Sequence, residues 1–200
     1  YGVAEGSPEQ ASGNALSSKI CIQHAISLVN ALRHQFGLPL LRFRDAVVSG
    51  STLLCSVGSD GGKWEFTIMG GIVNLAARME KMAPPGGVCL DRFTFLNAGG
   101  EELVNVDNER LEQAKGFSKP IKVYDLCGYR RQETNDALKR LIVDFLATDE
   151  VRIMLCAHLR RSSRDMGSEV ELGQVTHRYA QFVSRAQAYL EGLDGLQLPA

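Results

Sequence analysis

The run Lys63-Trp64-Glu65-Phe66-Thr67-Ile68-Met69-Gly70-Gly71-Ile72-Val73-Asn74-Leu75-Ala76-Ala77-Arg78-Met79-Glu80 constrains the fold more than any other stretch of this chain. It reads as a short strand over Trp64 to Met69, a Gly-Gly turn, and a helix from about Ile72. Residues four apart on a helix lie on one face, one turn above the other, so Asn74 and Arg78 point the same way. An amide and a guanidinium on one face, beside a glycine turn, make a polar claw suited to phosphate or sugar oxygens.

Around this run the chain alternates strands and helices. Residues 1 to 19 are rich in Gly, Ser, Ala and Glu and read as a loop leaving a strand that ends near Tyr1 to Val3. From Ile20 to Phe36 the apolar positions Cys21, Ala25, Leu28, Val29, Leu32 and Phe36 recur at helical spacing, with Gly37 and Pro39 as the stop. Leu40 to Val48 and Thr52 to Val57 read as two strands of a hairpin around Ser49-Gly50-Ser51. After the breaker Ala83-Pro84-Pro85-Gly86-Gly87 comes a short buried strand, Val88 to Leu90, and Asp91 is placed to cap a helix over Arg92 to Ala98. Leu111 to Lys115 and Ile121 to Leu126 read as further strands. Past Gly128 the pattern turns helical: Asp136 to Leu146, Asp149 to Arg161 and Leu172 to Leu193. A boundary is expected near residue 130, giving an α/β (α+β) domain over 1–128 and a helical extension over 129–200.

Composition narrows the function classes. With 200 residues, 44% of them hydrophobic, the chain can bury a real core. A net charge of -1 provides no global field for nucleic acid or an anionic membrane, so no nucleic-acid partner is expected. No apolar run approaches the roughly 18 residues of a membrane helix. The chain starts at Tyr1 without a signal-peptide pattern and is expected to be part of a longer protein, in a cytoplasmic setting. Five scattered cysteines form no C-x-x-C pair and read as reduced core residues; four unclustered histidines show no ligand spacing.

The key run closely resembles the signature of the class III nucleotide cyclases, the adenylyl and guanylyl cyclase catalytic domain. Further landmarks occur in family order. Ala46-Val47-Val48-Ser49-Gly50 stands where many members read G-I-H-T-G, and Val57-Gly58-Ser59 matches I-G-S. Pro85-Gly86-Gly87-Val88 resembles P-G-x-I/V, and Gly116 to Leu126 resembles the closing G-x-x-x-P-V-x-V-Y-x-L. The resemblance covers residues 1 to 128 and corresponds to the C-terminal half of the domain. It implies a ferredoxin-like cyclase fold, with a mainly antiparallel sheet, flanking helices and a helical appendage behind it.

It also implies a function: conversion of ATP, or as the alternative GTP, to a 3′,5′-cyclic monophosphate and pyrophosphate by a phosphorus–oxygen lyase of cyclic-nucleotide signalling. In that family Asn74 corresponds to the asparagine that orients the ribose, and Arg78 to the arginine that stabilises charge on the triphosphate. Thr67 stands at the base-reading position, with Ile68 and Gly70 beside it as substrate contacts. Mg2+ or Mn2+ would be held by two aspartates expected upstream of Tyr1. Asp45, Asp60 and Asp91 lie in the wrong segments and read as turn or cap residues. Family sites form between two head-to-tail domains, which implies a second cyclase domain as partner, in a homodimer or pseudo-heterodimer. The 129–200 helices are expected to serve a larger assembly.

The chain departs from the pattern at Gly71, where the family has Asp or Asn, and at Ala46 and Cys55, where glycines are common. An alternative reading is therefore a cyclase-fold module that no longer turns over and acts as nucleotide sensor or scaffold. A third is an unrelated ferredoxin-like regulatory domain.

Overall fold

A computed structural model of the chain describes residues 6–59 and 61–190. It opens with helix α1 (Pro8–Gln35), followed by strands β1 (Asp45–Val47), β2 (Leu53–Val57) and β3 (Glu65–Met69). Helix α2 (Gly71–Met79) runs into a 3-10 turn over Glu80–Met82. Then come β4 (Val88–Asp91), α3 (Arg92–Asn97), α4 (Gly100–Leu103), β5 (Val104–Glu112) and β6 (Ile121–Tyr129). Helices α5 (Gln132–Leu146), α6 (Asp149–Asp165) and α7 (Leu172–Leu190) complete the order.

The chain divides into two compact units. One comprises residues 1–17 and 42–130, the other 18–41 and 131–200. In the first, four strands pair in the order β1-β4-β6-β5, with β1·β4 parallel and the other two pairings antiparallel. This is the mainly antiparallel α/β sheet with flanking helices that the family likeness implies. Strand β4 is buried at every position, as its Val-Cys-Leu run requires of a strand at the sheet's centre. Phe95 of α3 stacks on Tyr124 of β6, ring centroids 4.1 Å apart. The first part of α1 is tied to the sheet by polar contacts: Ser12 Oγ to Ser49 Oγ at 3.0 Å and Ser17 Oγ to Tyr129 Oη at 2.7 Å.

Strands β2 and β3 form a separate antiparallel ribbon. Several of its bulky side chains face water: Leu53 is 64% exposed, Phe66 72%, and Trp64 beside it 59%.

The second unit is a helical bundle. Leu28, Ala31, Leu32 and Leu38 share one buried core with Ile142, Val143 and Leu146 of α5, Val151, Cys156 and Leu159 of α6, and Val175, Tyr179 and Phe182 of α7. Each of the valine, leucine, isoleucine and phenylalanine side chains contributes about 1.5–3 kcal/mol on full burial, enough to hold helices that would be marginal alone. Tyr179 Oη satisfies its polar end by donating to Leu146 O at 2.6 Å.

Three expectations are corrected. Residues 8–19 are helical rather than looped, because Ser7-Pro8 is a helix start: Ser7 Oγ accepts from Gln10 N at 3.3 Å and proline's fixed φ suits the first turn. The expected strand over Tyr1 to Val3 lies outside the described residues. The hairpin around Ser49-Gly50-Ser51 does not form: β1 spans only Asp45–Val47 and pairs with β4, while β2 pairs with β3. Finally, the division of the chain does not follow a single cut near 128, since residues 18–41 group with 131–200. The apolar stripe read on this helix finds its cover among α5 to α7.

Candidate functional site

The site is built on α2, and the helix is set by what lies under it. Leu75 and Met79, four apart, are buried against Ala83, Cys89 and Val123, with Ile72, Phe117 and Ile121 packed around them. That fixes the rotation of the helix, so its Asn74–Arg78 edge is turned away from the core centre. Asn74 is exposed and Arg78 half-buried.

The turn into α2 requires Gly70. Its φ of 151° is a conformation that side-chain-bearing residues rarely adopt. From there Gly70 O accepts from Val73 N at 3.2 Å, starting the helix without any side-chain cap. The far end is held from two sides. Cys89 Sγ donates to Met79 O at 3.0 Å, and burial pushes this thiol up to about 12, so it stays a neutral donor. Arg110 Nη2 donates to Met82 O at 2.8 Å, while the same guanidinium pairs with Asp125 and, at 3.0 Å, with Glu112.

Arg78 differs from Arg110 in having no such partner among the described residues. Its Nε is buried and makes no hydrogen bond with any of them. The carboxylates nearest in sequence do not serve it: Glu80 is exposed, and Asp91 caps α3 by accepting from Phe93 N and Thr94 N. A partly desolvated guanidinium without a carboxylate is energetically unfavourable unless an anion completes it.

Thr67 lies in the middle of β3, half-buried and paired in register with Cys55 of β2, with half-buried Ile68 next to it. The sequence-read residues Thr67, Ile68, Gly70, Asn74 and Arg78 thus sit on one continuous strand–turn–helix segment. Sequence reading overlooked the turn beyond β5, where Gly116 faces the Arg78 guanidinium: a side-chain carbon at residue 116 would lie 3.6 Å from Nη2. The G-x-x-x-P landmark was the available signal.

A metal site does not fit the donors present. Among the described residues no group of three or more His, Cys, Asp or Glu is placed to hold a metal ion. Among the same residues no helix is long and apolar enough to cross a membrane.

No protein-family model matches the chain. It is 25% identical over 118 residues to adenylate cyclase 1 of Rhizobium meliloti (strain 1021), covering 59% of this chain and 18% of that protein. Among solved structures it is similar to the guanylyl cyclase Cya2, with a TM-score of 0.56, 23% identity, and 66% of this chain on 65% of that one. The adenylyl cyclase CyaB from P. aeruginosa gives a TM-score of 0.56 at 20% identity, with 64% and 65% covered. The chain therefore spans about a fifth of the curated relative and under two thirds of each solved domain. The order of its motifs and its likeness in sequence make the chain similar to the class III adenylyl/guanylyl nucleotide cyclase catalytic domains, and it shares their fold.

Proposed function

We propose that this chain supplies the ribose- and triphosphate-contacting part of a cyclase site that converts ATP, with GTP as the alternative, to a 3′,5′-cyclic monophosphate and pyrophosphate. The observation that carries this reading is Arg78: a half-buried guanidinium whose Nε has no partner, one helical turn from the exposed amide of Asn74. In the reaction the substrate's 3′-oxygen bonds to the α-phosphorus while the bond from that phosphorus to the pyrophosphate oxygen breaks. Negative charge grows on the phosphate oxygens, and a planar donor fork held out of water stabilises it there more than in the ground state. Asn74 orients the ribose so that its 3′-oxygen is aligned for attack. Thr67, able to donate and accept, reads the base edge. No step is assigned to a metal, because this chain's donors do not form a site for one. The uncovered apolar side chains of the β2–β3 ribbon support a second cyclase domain as partner, in a homodimer or pseudo-heterodimer.

In the full-length protein Arg78→Ala should cut turnover about 10²-fold or more, the scale for losing one preorganised donor, with the fold intact. Asn74→Ala should act similarly through misplacement of the ribose. Cyclic-nucleotide production and circular dichroism check both. Unchanged turnover in both variants would show these residues to be structural. The second reading, a cyclase-fold nucleotide sensor or scaffold, is favoured by Gly71, which stands where the family has Asp or Asn. Nucleotide binding without any cyclic product from the full-length wild type would establish it.

A further inference from the structure

The β5–β6 connection, residues 113–120, carries more order than an exposed loop of its length needs. Phe117 N donates to Ala114 O at 3.1 Å, closing a turn. The side-chain amide of Gln113 bridges the same turn, with Nε2 donating to Phe117 O at 2.6 Å and lying 3.5 Å from Ala114 O. The Phe117 ring packs on the Leu75–Met79 core, directly under the helix that bears Arg78. Between these anchors Gly116 takes a φ of 85°, open to glycine, and its missing side chain faces the Arg78 guanidinium. A side-chain carbon there would lie 3.6 Å from Nη2 and 4.0 Å from Cζ.

Building on the proposed role of Arg78, we infer that this loop is a wall that presets the Arg78 guanidinium, and that Gln113 is the positioning residue that holds the wall. An arginine side chain has four soft torsions, and this one has no ion pair among the described residues to restrain it. Steric confinement by the loop replaces that restraint, keeping the fork aimed before substrate arrives. Charge stabilisation depends on such prior aim, because a donor that must reorganise during the reaction loses its advantage. Gln113 itself is exposed, so its bond to Phe117 O adds little to global stability. Its effect is confined to the shape of the turn.

The test uses the full-length protein as wild type, Gln113→Met, Arg78→Ala and the double variant. Each is assayed for kcat and KM with Mg·ATP and Mg·GTP, alongside thermal stability. Gln113→Met should lower kcat about tenfold, as a misaimed donor does, with KM and Tm near wild type. It should add nothing once Arg78 is already alanine, since residues acting through one another are not additive. The inference is overturned if Gln113→Met keeps the wild-type kcat while Arg78→Ala loses it, or if the two losses add. In those cases Arg78 keeps its role and only the loop loses its own. If Arg78→Ala turns over like wild type, or wild type makes no cyclic product from either nucleotide, the functional reading falls and this inference falls with it.

Discussion

Asp91 shows how much one side chain can organise. Its carboxylate accepts from Phe93 N at 3.0 Å, from Thr94 N at 3.1 Å and from the Thr94 hydroxyl, and takes a longer bond from Ser49 N at 3.4 Å. Thr94 Oγ1 also lies 2.9 Å from Ser49 Oγ, which meets Ser12 Oγ. The cap was legible in the sequence, because an Asp just ahead of a helical run accepts from the second or third N–H. The reach to Ser49 and Ser12 was not, since nothing local marks residues brought together by sheet pairing. Asp91→Ala should therefore cost more than an ordinary cap, about 2 kcal/mol, because the buried Thr94 hydroxyl loses its acceptor as well. Asp91→Asn should recover most of that. Chemical denaturation of the three forms measures both values.

At the scale of elements, helices were easier to read than strand partners. The α2 segment was legible because a short strand, a glycine turn and a 3.6-residue period occur in immediate succession. β1 was misassigned to a hairpin because its true partner, β4, lies some forty residues on, and parallel pairing leaves no turn signal. The start of α1 was missed for a different reason. Its first turns hold Gly, Ser and Ala in place of large apolar residues, so the period is faint, although Ser7-Pro8-Glu9-Gln10 carries the start signal. Further along α1, His24 Nε2 is buried without a hydrogen bond among the described residues, facing Lys139 and Asp136 of α5. Burial, aided by Lys139 and opposed by Asp136, holds this imidazole below its usual pKa. The unfolded chain therefore takes up the proton first as pH falls below about 6.5, and folding stability drops with it. Above that pH both states are neutral and the contribution is constant. Thermal unfolding followed by circular dichroism should show a lower Tm at pH 5 than at pH 7, and His24→Leu should shrink that difference.

For the molecule as a whole, the sequence signalled the change from mixed α/β to helical near residue 130, but not that residues 18–41 group with the helices beyond that point. A helical stripe announces that it needs a cover without naming it. In the structure Leu28, Ala31, Leu32 and Leu38 are covered by α5 to α7. Removing residues 131–200 should therefore bare these four side chains and make the protein aggregate; size-exclusion chromatography of the truncated and intact full-length proteins gives the comparison. A monodisperse truncated protein would show that α1 is sustained without the bundle. The β2–β3 ribbon presents the opposite situation. Two strands alone are marginal in water, and this pair keeps both outer edges unpaired among the described residues, with Leu53, Trp64 and Phe66 largely in solvent. Whatever covers the ribbon lends its binding free energy to folding, in proportion to the logarithm of its concentration. Thr67 rides on that ribbon, so the order of the edge proposed to read the base is set by the composition of the solution as much as by the chain itself.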